Sequence, residues 1–317
     1  MKRVPFGTVA LGVSRLGFGC APVMGRVGRR EALAAMSCAF DNGVTHFDIA
    51  RSYGFGDAER VLGEFVQSRR DKVTITTKFG VLPSELSAWK RAARPLVRRV
   101  RAIAAPIKRL VQSHSQTMLS QRRFDVAYAR ACLKKSLSDL RTDYVDFYLL
   151  HEPDAARLEG FDELRRYLDD CLRAGVIRAW GIAQGRGFSE LEPEFECGQV
   201  VQLESSLSRD DLNLVPRDES LLCLITRPLA GGSELSMSAP VLQALRHELG
   251  LTNAQAAFAF ALADAGANGA VVAGMFKRAH IAANVQAVEY CDANWSVIDP
   301  TIARLRTLPL DDLSARG

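Results

Sequence analysis

Tyr144-Val145-Asp146-Phe147-Tyr148-Leu149-Leu150, followed at once by His151-Glu152-Pro153, is the stretch on which the fold turns. Its β-branched and aromatic residues read as a strand. Upstream, Asp125 has the chemistry of a helix N-cap, and apolar spacing of three and four behind it predicts a helix to Leu140. Helix then short strand is part of a βα repeat, the signature of a parallel sheet.

Working outward, seven more runs have the same character: Leu16–Gly19, Val44–Asp48, Val73–Lys78, Ile177–Ile182, Val200–Leu203, Leu221–Thr226 and Gly269–Ala273. Eight is the number that closes a parallel sheet into a barrel. Thr252 predicts the N-cap of another helix through Ala265, and Gly43, Gly175 and Gly250 fall where helix-ending glycines belong. The rival architecture, an open doubly wound sheet, calls for G-x-G-x-x-G after its first strand. The chain reads Gly17-Phe18-Gly19-Cys20-Ala21-Pro22 there, which misses that pattern. The fold class expected is therefore α/β, a single-domain (β/α)8 TIM barrel over residues 1–317. A length of 317 residues suits it, since such barrels need about 250 residues plus insertions.

Composition agrees. Hydrophobic residues make up 48% and charged residues 24%, enough for a large core and unlike a disordered chain. Seven cysteines, at 20, 38, 132, 171, 197, 223 and 291, are scattered with no C-x-x-C pair, which suits reduced thiols and gives no metal site. The first twenty residues resemble a signal peptide until Arg15 and several glycines interrupt the apolar stretch. No apolar run approaches the ~18 residues of a membrane span, so the expected location is cytoplasmic.

The net charge of +5 is unevenly spread. Ten Lys or Arg and no Asp or Glu lie between Ala88 and Phe124, leaving a mildly acidic remainder. An insertion of about 82–124 is expected here, after the third strand. Trp89, Leu96, Val97, Val100, Ile103, Ile107, Leu110 and Val111 recur at near-helical steps with most arginines off that stripe, so the insertion reads as a basic amphipathic helix bent near Pro106. Solvated arginines are one reading. An anionic substrate, an acidic partner or an acidic membrane surface is another. A nucleic-acid partner is disfavoured, because Trp89 is the only aromatic before Phe124 and no base-stacking platform forms.

In a (β/α)8 barrel, functional side chains sit where strands end. Those positions are Asp48, Lys78 and His151, with Tyr53 in the loop five residues beyond Asp48. Each alone has an ordinary explanation as a cap, a packing ring, a solvated strand end or a satisfied hydrogen bonder. Together they suit carbonyl reduction. A carbonyl that receives hydride needs a proton, and Tyr53 is the donor. Its ordinary pKa of about 10 is high for that task, and Lys78 is the cation expected to lower it. Asp48 would hold the ammonium, and His151 would orient the carbonyl oxygen.

Gly43-Val44-Thr45-His46-Phe47-Asp48-Ile49-Ala50-Arg51-Ser52-Tyr53-Gly54, with Glu59 and Leu62-Gly63 beyond it, resembles the aldo-keto reductase signature. So do Ile75-Thr76-Thr77-Lys78-Phe79-Gly80 and the segment from Ser136 through Asp143-Tyr144-Val145-Asp146-Phe147-Tyr148-Leu149-Leu150-His151-Glu152-Pro153-Asp154. The resemblance implies a (β/α)8 barrel that binds NADP(H), rather than NAD(H), without a Rossmann domain. It implies a small-molecule carbonyl or alcohol substrate, and Asp48, Tyr53, Lys78 and His151 as catalytic residues.

For the cofactor, Ala183 and Gln184 stand where the family usually has the Ser-Asn that holds the carboxamide. Gln202 matches the Gln that shares this task, beside Asp48. Arg227-Pro228-Leu229 is similar to the Ser-Pro-Leu pyrophosphate loop with Arg replacing Ser. The block from Val272 to Asn284 is similar to the adenosine-phosphate region. Gly274, Lys277, Arg278, His280 and Asn284 are its implied contacts, although the family often has Arg at the position of His280 and Glu at that of Ala283. Lys277 and Arg278 at a helix start suit a 2′-phosphate. A second reading stays open beside the enzyme: a cofactor-binding regulatory or interaction subunit with a barrel fold and little turnover, suggested by the altered Ala183-Gln184 pair.

Overall fold

The computed structural model describes residues 1–7, 9–83, 121–153, 160–184, 198–205, 221–229 and 240–307. The chain opens with an antiparallel hairpin, β1 (Arg3–Phe6) and β2 (Val9–Ser14). Next come β3 (Leu16–Gly19), α1 (Arg29–Asp41), β4 (His46–Asp48), α2 (Ala58–Val66), β5 (Thr74–Phe79), α3 (Val126–Leu140) and β6 (Val145–His151). Then follow α4 (Phe161–Arg173), β7 (Ile177–Ala183), β8 (Val200–Glu204), β9 (Leu222–Thr226), α5 (Pro240–Leu249) and α6 (Asn253–Ala265). The described chain closes with β10 (Gly269–Ala273), α7 (Arg278–Ala293) and α8 (Trp295–Arg306). Strands β3 to β10 pair in parallel in chain order, and β10 returns to β3, so the sheet is a closed barrel.

Local chemistry makes these elements where the sequence places them. The Asp125 carboxylate accepts the Tyr128 N–H at 2.9 Å and starts α3. Thr252 and Gln255 form a reciprocal capping box at the head of α6. Gly43, Gly175 and Gly250 follow helix ends in the left-handed region, with φ of 85°, 70° and 64°. Helix α2 lies so close to α3 that a Cβ at Gly63 would meet the Asp139 carbonyl oxygen at 2.2 Å.

Strand alternation sorts side chains into two layers. Phe147, Leu149, Ala179, Val200, Leu222, Leu224 and Ala270 point inward and fill the barrel. Their neighbours Phe18, Phe47, Ile75, Tyr148, Leu150 and Ile182 point outward and bury against the helices. Both faces are covered, which is why β5 is buried from end to end. The hairpin closes the floor: Val13 joins the inner cluster, Phe6 packs on it, and the Phe6 and Phe147 rings meet edge-on at 5.7 Å.

Periodicity alone does not announce β1 and β2, whose residues share the apolar stretch that resembles a leader. Arg15, the residue that interrupts the stretch, is buried. Its guanidinium donates to the carbonyls of Gly266 at 2.7 Å and Gly269 at 2.6 Å, pairs with Asp292 at 3.2 Å, and lies over the Trp295 ring at 5.5 Å. One side chain thus ties the start of β3 to β10, α7 and α8.

The basic insertion is described only at its roots. Val81 and Arg122 form an antiparallel bridge, Leu82 N–H donates to Gln121 O at 3.0 Å, and Arg123 N–H donates to Gly80 O at 2.9 Å. The amphipathic helix, its bend at Pro106 and the surface it would offer an acidic partner or membrane lie outside the described residues. Among the described residues no helix is long and apolar enough to cross a membrane.

The Arg15 clamp yields an expectation for stability. Arg15→Met leaves the buried Gly269 carbonyl and the Asp292 carboxylate without the guanidinium and takes a donor from the part-buried Gly266 carbonyl, and should cost about 3 kcal/mol or more. Urea unfolding of the two proteins measures this, and a loss below about 1 kcal/mol would show that the clamp contributes little.

Candidate active site

The site is a consequence of alternation at the strand ends. Inward positions on β4 are 46 and 48, on β5 they are 74, 76 and 78, and on β6 they are 147, 149 and 151. The same parity brings Ala183 at the end of β7 beside His151, and Gln202 on β8 beside Ala183. Asp48, Lys78, His151, Ala183 and Gln202 therefore converge at the carboxyl end of one barrel without help from any loop. Tyr53 arrives on a tight turn, Tyr53–Gly56, soon after β4, in which Gly54 and Phe55 are left-handed with φ of 60° and 62°.

The ammonium of Lys78 reaches both Asp48 oxygens, at 2.8 and 2.7 Å, and also donates to Ile49 O at 3.0 Å. Lys78 and Asp48 are both buried, so neither charge is tolerable without the other. Gln202 Nε2 donates to Asp48 Oδ2 at 2.7 Å, which joins this residue to the ion pair as well as to its expected cofactor position. The Lys78 Nζ lies 5.3 Å from the Tyr53 ring centre, and the Tyr53 and His151 rings meet edge-on at 5.8 Å. The four expected catalytic residues form one cluster.

The electrostatics depart from expectation at Tyr53. Lys78 is expected to lower its pKa. Burial instead pushes the phenol well above its ordinary value, and Asp48, Cys20 and Glu152 add to the rise. The reason is that Lys78 is committed to Asp48, so the pair presents the phenol with little net positive charge. His151 is shifted the other way. Burial lowers its pKa to about 3, with Lys78 and Arg122 contributing, so its imidazole is neutral. Its Nδ1 is buried and has no hydrogen-bond partner.

Three features of this site escape sequence reading. Arg51 sits inside the signature loop, and its guanidinium is buried. It donates to Glu59, to the Gly56 carbonyl and, at 2.8 Å, to Asp139, while its backbone N–H donates to Lys78 O at 3.1 Å. Thr77, the neighbour of Lys78, donates to Glu59 at 2.6 Å. This network binds the loop carrying Tyr53 to the strand carrying Lys78. The second feature is His46, beneath the site, with its ring nitrogens 3.0 Å from Thr74 Oγ1 and 3.3 Å from Thr76 Oγ1. The third is the pair Arg122–Glu152 at 2.5 Å, beside His151.

The expected cofactor residues occupy the opposite side of the mouth, after β7 to β10. Ala183 and Gln184 are buried at the end of β7, and the Gln184 N–H donates to Gln202 O at 2.8 Å. Arg227, with Pro228 and Leu229 behind it, has φ of 58° and pairs with Glu204 at 3.0 Å. Gly274 is exposed beyond β10, where a Cβ would find nothing nearer than 3.9 Å, so the backbone is open to close approach. Lys277 stands at the N-terminal boundary of α7, and it, Arg278 and His280 are exposed around the helix's first turn. Asn284 differs: it is buried one turn further on, with its amide 3.7 Å from Met275 Sδ. An open glycine beside exposed cations at a helix N-terminus fits the phosphates of a nicotinamide dinucleotide. Among the described residues no group of His, Cys, Asp or Glu is placed to hold a metal ion.

The Aldo/keto reductase family profile matches residues 6–192. Pyridoxal 4-dehydrogenase of Microbacterium luteolum is 30% identical over 182 residues, 56% of this chain and 50% of that protein. A 6-dehydroglucose reductase of Agrobacterium fabrum is 27% identical over 215 residues, 64% of this chain and 63% of that protein. The chain spans about half the length of the curated relatives it matches. Among solved structures, an aldo-keto reductase from Klebsiella pneumoniae in complex with NADPH has a TM-score of 0.64 at 22% identity, covering 91% of this chain and 89% of that one. That likeness shows the fold.

Two histidines, His46 fully buried and His151 partly so, set a pH dependence. His46 is held down to about 4 and His151 to about 3, by burial first, against about 6.5 in an unfolded chain. Below that value the unfolded chain takes up the protons first. The stabilisation is complete above about pH 7 and is lost as pH falls from about 6.5 towards 4, by roughly 3 kcal/mol for His46 alone. Urea midpoints should fall across this window, and less so in a His46→Asn variant. Parallel profiles for the two proteins would refute the assignment.

Proposed function

The chain belongs to the aldo/keto reductase family, and from that premise we propose that it reduces an aldehyde or ketone with NADPH in preference to NADH, Tyr53 supplying the proton. The observation that carries this reading is the buried Lys78–Asp48 pair beside Tyr53, with the neutral His151 ring against the same phenol.

A nicotinamide held at this mouth would supply the hydride. Everything else falls to side chains of this chain. Neutral His151 donates an N–H to the carbonyl oxygen and aims it at the Tyr53 hydroxyl. Negative charge grows on that oxygen as the carbonyl carbon becomes tetrahedral, and Tyr53 delivers its proton there. The Lys78 ammonium, fixed by Asp48 and Ile49 O, stabilises the tyrosinate left behind. Before reaction, burial keeps Tyr53 a neutral phenol, which is the form a reduction needs.

On the cofactor side, Gln184 and Gln202 hold the carboxamide, Ala183 flanks the ring, and Arg227 with Pro228 and Leu229 meets the pyrophosphate. Gly274 leaves room for the dinucleotide, and Lys277 and Arg278 bind the 2′-phosphate that distinguishes NADPH. His280 and Asn284 complete the adenosine end. Glu204 competes for Arg227, which weakens its hold on phosphate. The alternative reading, a cofactor-binding subunit with little turnover, rests on the altered Ala183-Gln184 pair, and the first experiment below decides between them.

Purified protein is assayed by loss of reduced-nicotinamide absorbance with a panel of aldehydes and ketones. Tyr53→Phe should lower kcat on the order of 10²-fold or more while leaving cofactor affinity intact. Near-normal turnover by the variant removes Tyr53 as proton donor, and absence of turnover by the unmodified protein favours the binding subunit. In a separate fluorescence titration NADPH should bind more tightly than NADH, and Lys277→Ala should narrow the gap. Equal dissociation constants before substitution would eliminate the 2′-phosphate assignment.

A further inference from the structure

Glu152, the first residue after β6, has φ of 53°, a left-handed conformation that is uncommon for a residue with a Cβ. Its N–H is spent on Ala183 O at 2.7 Å, which fixes the turn. Its carboxylate meets the Arg122 guanidinium at 2.5 Å, and both side chains keep about a third of their surface open, 37% and 31%. Arg122 is set by its bridge to Val81, three residues beyond Lys78 on the same strand exit. The pair therefore stands on the rim between the exits of β5 and β6, immediately beside His151 and across from Tyr53.

Stability does not account for it. A half-open ion pair contributes little, and a non-glycine residue in the left-handed region costs more than such a pair returns. The charges do reach the reacting groups: Arg122 helps lower His151, and Glu152 helps raise Tyr53. A carbonyl held between those two rings carries its substituents past the pair.

We propose that Arg122 and Glu152 are specificity-determining residues that select substrates with a hydroxyl adjacent to the reacting carbonyl, such as hydroxyaldehydes and open-chain sugars; this deepens the reductase reading and rests on it. An open guanidinium–carboxylate pair presents a fork of donors beside an acceptor with free lone pairs. A hydroxyl matches both halves, since its oxygen accepts from Arg122 and its proton goes to Glu152. Vicinal hydroxyls match them separately. An anionic substituent would bind Arg122 against the repulsion of Glu152, and a cationic one the reverse. An alkyl substituent would strip water from the pair and return no bond.

Glyceraldehyde and propanal share a three-carbon skeleton and differ in two hydroxyls, so their kcat/KM ratio with NADPH reads the pair directly. The unmodified enzyme should favour glyceraldehyde by about tenfold or more, the worth of one charge-assisted bond. Arg122→Met and Glu152→Gln should each collapse the preference, chiefly through a higher KM for glyceraldehyde. Glu152→Ala, which leaves the root of the insertion untouched, should do the same. A merely structural clip would lower both substrates together and leave the ratio standing, which overturns the proposal. So does an unmodified enzyme that reduces both aldehydes with no preference. Failure to reduce either aldehyde, or any carbonyl of the wider panel, is a different result, because it removes the reductase reading itself.

Discussion

A lysine ammonium inside a barrel has no water to solvate it, and Lys78 is tolerated there because Asp48, two strand positions away, is buried with it. The rest of the mouth is arranged around that pair. Gln202 spends a donor on Asp48, Ile49 turns a carbonyl to Lys78, and the loop carrying Tyr53 is anchored through the Lys78 carbonyl by Arg51. Because the two charges neutralise one another, burial governs the phenol and the imidazole above them. One is held as an intact acid and the other as an uncharged hydrogen-bond donor. The site owes its protonation pattern to what the ion pair withholds as much as to what it supplies.

Much of this was legible in the sequence because barrel geometry turns period-two patterning into convergence. His46, Asp48, Lys78 and His151 share inward parity on neighbouring strands, so recognising strand ends was enough to bring the candidate residues together. Lys78's effect on Tyr53 was not legible, because it depends on how completely Asp48 occupies the ammonium. Nor was the Arg51 network, in which the guanidinium meets a carboxylate 88 residues away; no local spacing encodes that contact. The β1–β2 hairpin was hidden for another reason. Its residues lie in an apolar stretch whose partner, the barrel floor, exists only after the sheet has closed.

The family profile ends at residue 192, whereas three strands of the closed barrel, β8 to β10, lie beyond it. That division follows the chemistry. The half holding Asp48, Tyr53, Lys78 and His151 brings four side chains into one tight cluster. The half holding Arg227, Lys277 and Arg278 presents positive charge and, at Gly274, open backbone, features that many side-chain sets can supply. Ala183, Gln184, Arg227 and His280 depart from the usual residues while the strands and helix starts that carry them remain in place.

Arg15 reaches the carbonyls of residues 251 and 254 positions further along the chain, and β3 finds its second neighbour only in β10. A ribosome making this protein therefore exposes the edge of the first barrel strand for most of synthesis, while each later strand pairs as it emerges. Until the last strand arrives, the nascent sheet is an open ribbon with an unpaired row of amides and carbonyls at each side, ready to add a strand from another chain. The buried arginine cannot help during that interval, since the carbonyls it grips have not yet been made. Holding the growing ribbon apart from its neighbours is thus a burden for the cell's chaperones, and it ends in one step when the ring shuts.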